Sequence, residues 1–187
     1  MTQSLVRSPF ASAIAVLAAP VLVLLATISV ARSDDGHDHD SLEQRKHVHG
    51  AATFNVALEG RRLVVELDAP ADNVVGFEKS PRNETERKAI ETANAWLASG
   101  RNIVAVPRPA GCRLQAVDFT PPTFGKGHAD YRARFNFECA NPGAIEWVEL
   151  WALRRLLEVE KAEVNVITAT VQRQVDLTAG NLRVSLK

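Results

Sequence analysis

The chain predicts an α+β domain, a mostly antiparallel sheet built from hairpins with one or two helices. Three observations carry this. Two pairs of segments alternate apolar and polar residues with period two, each pair joined by a turn signal. One stretch between them has helical spacing and a capping residue. Short alternating runs then close the chain.

In the first pair, Val48, Ala52, Phe54, Val56 and Leu58 share one parity, and His47, His49, Thr53 and Asn55 the other. Glu59-Gly60 breaks the pattern, and Leu63, Val65 and Leu67 resume it, so a hairpin turns at Gly60. Pro70 to Pro81 reads as a loop. A helix follows: Asn83 caps it, Glu86 stands three residues on as in a capping box, Ile90, Ala93 and Leu97 form its apolar face, and Ser99-Gly100 ends it. Asn83-Glu84-Thr85 also matches a glycosylation acceptor, but its place at a helix start favours the cap. Ile103 to Val106 is a short apolar strand stopped by Pro107 and Pro109.

The second pair is Cys112 to Phe119 and Ala129 to Cys139. In the latter Ala129, Tyr131, Ala133, Phe135, Phe137 and Cys139 share a face, and Asp130, Arg132, Arg134, Asn136 and Glu138 the other. A turn through Pro121 to Gly127 sets Cys112 opposite Cys139 and Leu114 opposite Phe137. Ala144 to Leu157 fits either a strand followed by a helical turn or one helix. Val164, Val166 and Thr168 alternate as a strand, and Val171 to Leu177 and Leu182 to Leu186 read as two closing strands. Trp96, Trp147 and Trp151 are expected in the core, and Phe77 as the anchor of its loop.

Residues 1–31 have the order of an export signal: Arg7 without acids, an apolar run from Phe10 to Val30, then Ser29-Val30-Ala31 as a cleavage pattern. The run is long enough to leave a retained anchor as the alternative, although Pro20 interrupts it. Residues 32–46 form a polar linker, and 47–187 the folded domain. Two cysteines in an exported chain are most simply one disulfide, Cys112–Cys139; the alternative is a Cys-containing metal site. With 22 basic against 22 acidic residues, no basic patch argues for nucleic acid.

Four of the five histidines fall between His37 and His49, twice as His-x-His. Imidazole is the commonest metal ligand, and packing does not explain such clustering. His47 and His49, placed on one strand face, are the expected ligands of a single ion; a pair of solvated histidines is the plainer reading. His37 and His39, among Asp34, Asp35, Asp38 and Asp40, form a loose capture set or simply a polar linker. His128 becomes a distant ligand if its hairpin end lies near His47. Asp118, Asp130 and Glu78 are weaker carboxylate candidates. No catalytic triad, Cys-His pair or phosphate loop is visible, so no enzyme is expected.

Three segments together resemble the ZrgA family of bacterial periplasmic zinc-uptake proteins. They are His47-Val48-His49-Gly50-Ala51-Ala52 running into Asn55 to Gly60, Pro70-Ala71-Asp72-Asn73-Val74-Val75-Gly76-Phe77-Glu78, and Phe137-Glu138-Cys139-Ala140-Asn141-Pro142. The resemblance covers about residues 47 to 186. It implies a Gram-negative periplasmic protein that binds Zn(II) and assists its acquisition, without enzymatic activity, with His47 and His49 as ligands. An inner-membrane zinc transporter, such as an ABC-type component, is the implied partner, and no lasting membrane insertion is expected after cleavage. Many relatives carry a His/Asp/Glu-rich insertion between the cysteine strands; here Thr120 to His128 holds a single histidine. The competing functions are an envelope chaperone or sensor for another metal such as copper, and a non-catalytic envelope interaction module.

Overall fold

A hairpin begins the fold because the chain alternates on both sides of Gly60, which takes φ 55. In the computed structural model, which describes residues 50–187, β1 (Ala51–Glu59) and β2 (Arg62–Pro70) pair in register from Glu59↔Arg62 to Thr53↔Asp68. Ala52, Phe54, Val56, Leu63, Val65 and Leu67 are buried on one face, as their parity requires. Among the described residues the first strand begins at Ala51, and His47, Val48 and His49 lie outside them. Gly50 stands in a turn at φ 79, and its carbonyl accepts from Glu160 N at 3.0 Å.

Pro70 to Pro81 is not all loop. It opens on a short helix, α1 (Ala71–Val75), stopped by Gly76 at φ 88. Buried Asn73 holds α1 down: its Nδ2 donates to Leu157 O at 2.9 Å, and its backbone carbonyl accepts from Leu157 N at 2.6 Å. Five residues are too few to print a 3.6-residue period, which is why the pattern hides this helix.

The longer helix, α2 (Glu84–Ser99), starts where Asn83 Oδ1 accepts from Glu86 N at 2.9 Å. The reciprocal half of the box is displaced by one residue, since Glu86 accepts from Arg82 N at 2.6 Å. Ala93, Trp96 and Leu97 face inward. Gly100 ends the helix at φ 61, and a Cβ there would stand 2.5 Å from Leu114 Cδ2, so helix and sheet meet only because the side chain is absent.

Among 103–106 the expected strand is reduced to a single bridge, Ala105 with Glu149, both hydrogen bonds 2.9 Å. Asn102 at φ 55 and the prolines Pro107 and Pro109 leave no length for more. Next, β3 (Cys112–Phe119) and β4 (Asp130–Cys139) pair with Cys112 opposite Cys139 and Leu114 opposite Phe137, as expected, and the cysteines form a disulfide. An irregularity between Leu114 and Ala116 then shifts the register, so Leu114 and Val117 share a face across an uneven spacing.

Of the two readings of Ala144 to Leu157, the strand with a helical turn holds: β5 (Trp147–Glu149), then a 3-10 turn over Trp151–Arg155. Trp96 is buried and Trp147 half-buried. Trp151, expected in the core, is 37% exposed, its Nε1 donating to Glu149 Oε2 at 3.0 Å. The polar N–H explains the position, because a rim site lets the ring pack while its donor finds a carboxylate. β6 (Lys161–Ile167) and β7 (Gln172–Leu177) form a hairpin, and β8 (Arg183–Ser185) pairs with β5.

The main sheet has the order β3-β4-β2-β1-β6-β7. It is antiparallel except where β1 and β6 run parallel, from Ala51↔Lys161 to Ala57↔Ile167. One face is the core. The other is a polar lattice: Arg132 Nε to Asp68 at 3.2 Å, Arg134 Nε to Glu66 at 2.7 Å, and Asn55 Nδ2 to Glu66 at 2.9 Å. The fold is α+β, as the pattern predicts.

Candidate metal centre

Strand direction decides what can meet. β1 and β4 both run antiparallel to β2, so the start of β1 and the start of β4 lie at one end of the sheet, beside the end of β2. Pro70 pairs with Asp130 there, and Ala71 N donates to Ala129 O at 2.7 Å. His128 immediately precedes this stitch.

After α1, Gly76 turns the chain back toward the 120–128 loop. Three contacts join the two loops. The rings of Phe77 and Phe124 lie 5.6 Å apart, Lys79 bridges Gly125, and His128 Nδ1 meets Glu78 Oε2 at 2.5 Å. Phe77 therefore anchors its loop, as expected. The Glu78 side chain is 11% exposed against 56% for the His128 ring. Its Oε1 is buried and has no hydrogen-bond partner among the described residues.

Further carboxylates share this corner. Asp130 takes Arg132 Nη2 at 3.4 Å, Arg132 Nε reaches Asp68, and Asp72 Oδ1 accepts from Asn73 N at 2.8 Å. Asp118 belongs instead to the β3 side, where Asn136 Nδ2 donates to it at 3.0 Å. Beneath the corner, Phe119 and Phe124 flank Tyr131, with centroids 6.4 and 6.3 Å from its ring. Burial pushes the Tyr131 phenol up to about 12.

The structure thus brings together His128 and Glu78, fifty residues apart in the chain. No set of three or more His, Cys, Asp or Glu residues placed to hold a metal occurs among the described residues. The cysteines are joined to each other and supply no thiolate. His37, His39, His47 and His49, the signal segment and the linker lie outside the described residues. Glu78 stood among the weaker sequence candidates because nothing local links it to His128; only its place in the Pro70–Glu78 motif marked it.

No helix among the described residues is long and apolar enough to cross a membrane. Residues 46–186 match the family described as ZrgA family zinc uptake protein. No match was found among curated proteins.

Proposed function

The chain belongs to the ZrgA family of zinc uptake proteins, and from that premise we propose that it is a periplasmic accessory protein that captures Zn(II) and assists its uptake or buffering. Zinc is its cargo. In this reading residues 1–31 are the cleaved export signal, 32–46 a linker, and His47, His49 and His128 the principal ligands.

One observation carries the proposal: β1 and β4 begin at the same sheet end, separated only by β2. Strand spacing makes that separation roughly 10 Å. His47 and His49 precede Ala51 by four and two residues in the sequence. The adjacency of the two strand starts supports His128 as a partner of the histidines that precede β1 in the chain. Three imidazoles and a water or carboxylate would complete a four-coordinate Zn(II) site, with Zn–N about 2.0–2.1 Å.

The mechanism follows from imidazole chemistry. Neutral rings bind the ion, and protonation or a tighter acceptor, such as an inner-membrane transporter component, removes it. His37 and His39 add weak capture ahead of the main site. With the thiolates tied up, the donors are nitrogen and oxygen, a set that holds Cu(II) more tightly than Zn(II). That observation favours a copper chaperone or sensor as the second reading.

Competitive calorimetric titration of the tag-free protein with Zn(II) and Cu(II) separates the two. The variants H47A/H49A, H128A and H37A/H39A divide the sites. The first two weaken tight Zn(II) binding, and the third lowers only stoichiometry or weak binding. Parent-like binding by H47A/H49A would sink the proposal, and a folded variant lacking all five histidines that still performs the cellular role would favour an interaction module.

A further inference from the structure

Glu78 places a carboxylate, 11% exposed, against one nitrogen of a half-exposed imidazole. An ionised carboxylate only accepts hydrogen bonds. The 2.5 Å contact therefore requires the proton to sit on His128 Nδ1, donating to Glu78 Oε2. In the neutral ring the lone pair is then on Nε2. We infer that Glu78 is a positioning residue for the metal: it holds His128 in the Nδ1–H tautomer, so that Nε2 is the coordinating atom. The inference rests on His128 being a ligand, as proposed above.

Two features separate this role from a mere loop clip. First, the 120–128 loop is already fastened to the 76–79 loop by the Phe77–Phe124 contact and the Lys79–Gly125 bridge, without the ion pair. Second, Glu78 Oε1 is buried with no hydrogen-bond partner among the described residues. A carboxylate so poorly solvated is expensive to keep unless a positive charge is placed beside it. A cation held on Nε2 supplies that charge through the ring, and the carboxylate in turn makes the ring a stronger base toward the ion. Carboxylate–histidine pairs act on bound metals in this way, and their loss costs about 10–100-fold in affinity.

The test uses tag-free, zinc-free, nitrogen-15-labelled protein at about pH 8, where imidazoles are neutral, and the variants E78A, E78Q, E78M and H128A. Long-range proton–nitrogen spectra read the His128 tautomer, and competitive titration reads Zn(II) affinity. The parent shows Nδ1 protonated and Nε2 without a proton. E78A gives a tautomer mixture and about 10–100-fold weaker zinc. E78M, which keeps the buried volume without an acceptor, does the same should E78A fold poorly. E78Q, which keeps an acceptor oxygen, retains the tautomer and most of the affinity. An unchanged tautomer in E78A or E78M overturns the inference, as does a changed tautomer with parent affinity. E78Q losing as much zinc as E78A while keeping the tautomer overturns it too, because the charge of Glu78, and not the tautomer it fixes, would then carry the affinity. Parent-like zinc binding by H128A instead fails the reading beneath it, removing His128 from the site.

Discussion

Reducing the Cys112–Cys139 disulfide should cost this domain about 3.5 kcal/mol. The bond joins residues 27 apart in sequence. The loop-closure entropy for that length is about 12 cal/mol/K, or roughly 3.5 kcal/mol at 25 °C. The folded state has little reason to change on reduction. Cys139 N still donates to Arg61 O at 2.8 Å, and β3 and β4 remain paired along their length. The effect therefore falls on the unfolded chain, which regains the freedom to separate the two strands. Urea unfolding of the tag-free protein with and without reductant measures this. At an m-value of about 1–3 kcal/mol/M, the midpoint should fall by roughly 1–3 M, with a larger m in the reduced chain because its unfolded state is more open. Thiol labelling of the unfolded, unreduced protein should find no reactive thiol. Equal midpoints in protein shown to be fully reduced would refute the entropic argument, and two reactive thiols before reduction would refute the bond itself.

Gly100→Ala should destabilise by about 1–2 kcal/mol through its left-handed backbone, and by a further 1–3 kcal/mol or so through crowding of Leu114 and Val117; thermal unfolding would show it, and an unchanged Tm would contradict the close approach. Tyr131→Phe removes a buried hydroxyl that has no hydrogen-bond partner among the described residues, so its stability at pH 7 should match or exceed the parent's. In the parent the phenol rises from 10.0 to about 12 on folding. Between those values the folded state holds a proton that the unfolded state has lost, so stability falls as pH rises, by about 1.4 kcal/mol per unit; denaturation from pH 9 to 12 should show this slope in the parent and less of it in Y131F. Zinc affinity should weaken as pH drops through about 6.5, because a ligating imidazole must be neutral; titration at pH 7.5 and 5.5 checks it, and equal affinities would argue against imidazole ligands.

The parts of the fold that sequence makes legible are those whose partners are near in the chain. Phe54 and Leu67 are separated by one turn, so alternation on both sides of Gly60 implies their pairing. Cys112 and Cys139 bracket a single hairpin, and α2 carries its own start at Asn83 and stop at Gly100. What stayed hidden is short or distant. The parallel pairing of β1 with β6 joins Val56 to Val166 across the whole middle of the chain, and period two says which face a residue takes, not which strand lies beside it. Trp151 reads as core because composition does not distinguish a buried indole from one at the rim that gives its N–H to Glu149.

The candidate site divides along the same line. Clustered His-x-His pairs, a leader with the residue order of an export signal and two cysteines are local features, so the sequence alone posed metal capture outside the cytosol as the question to ask. Whether His128 could share a site with the first strand depended on β2 running opposite to both β1 and β4, and whether Glu78 could act on His128 depended on Gly76 folding its loop back onto the 120–128 turn. Side chains fifty residues apart have no fixed distance until backbone hydrogen bonds and the buried face of the sheet settle the strand order, and only the tertiary structure does that.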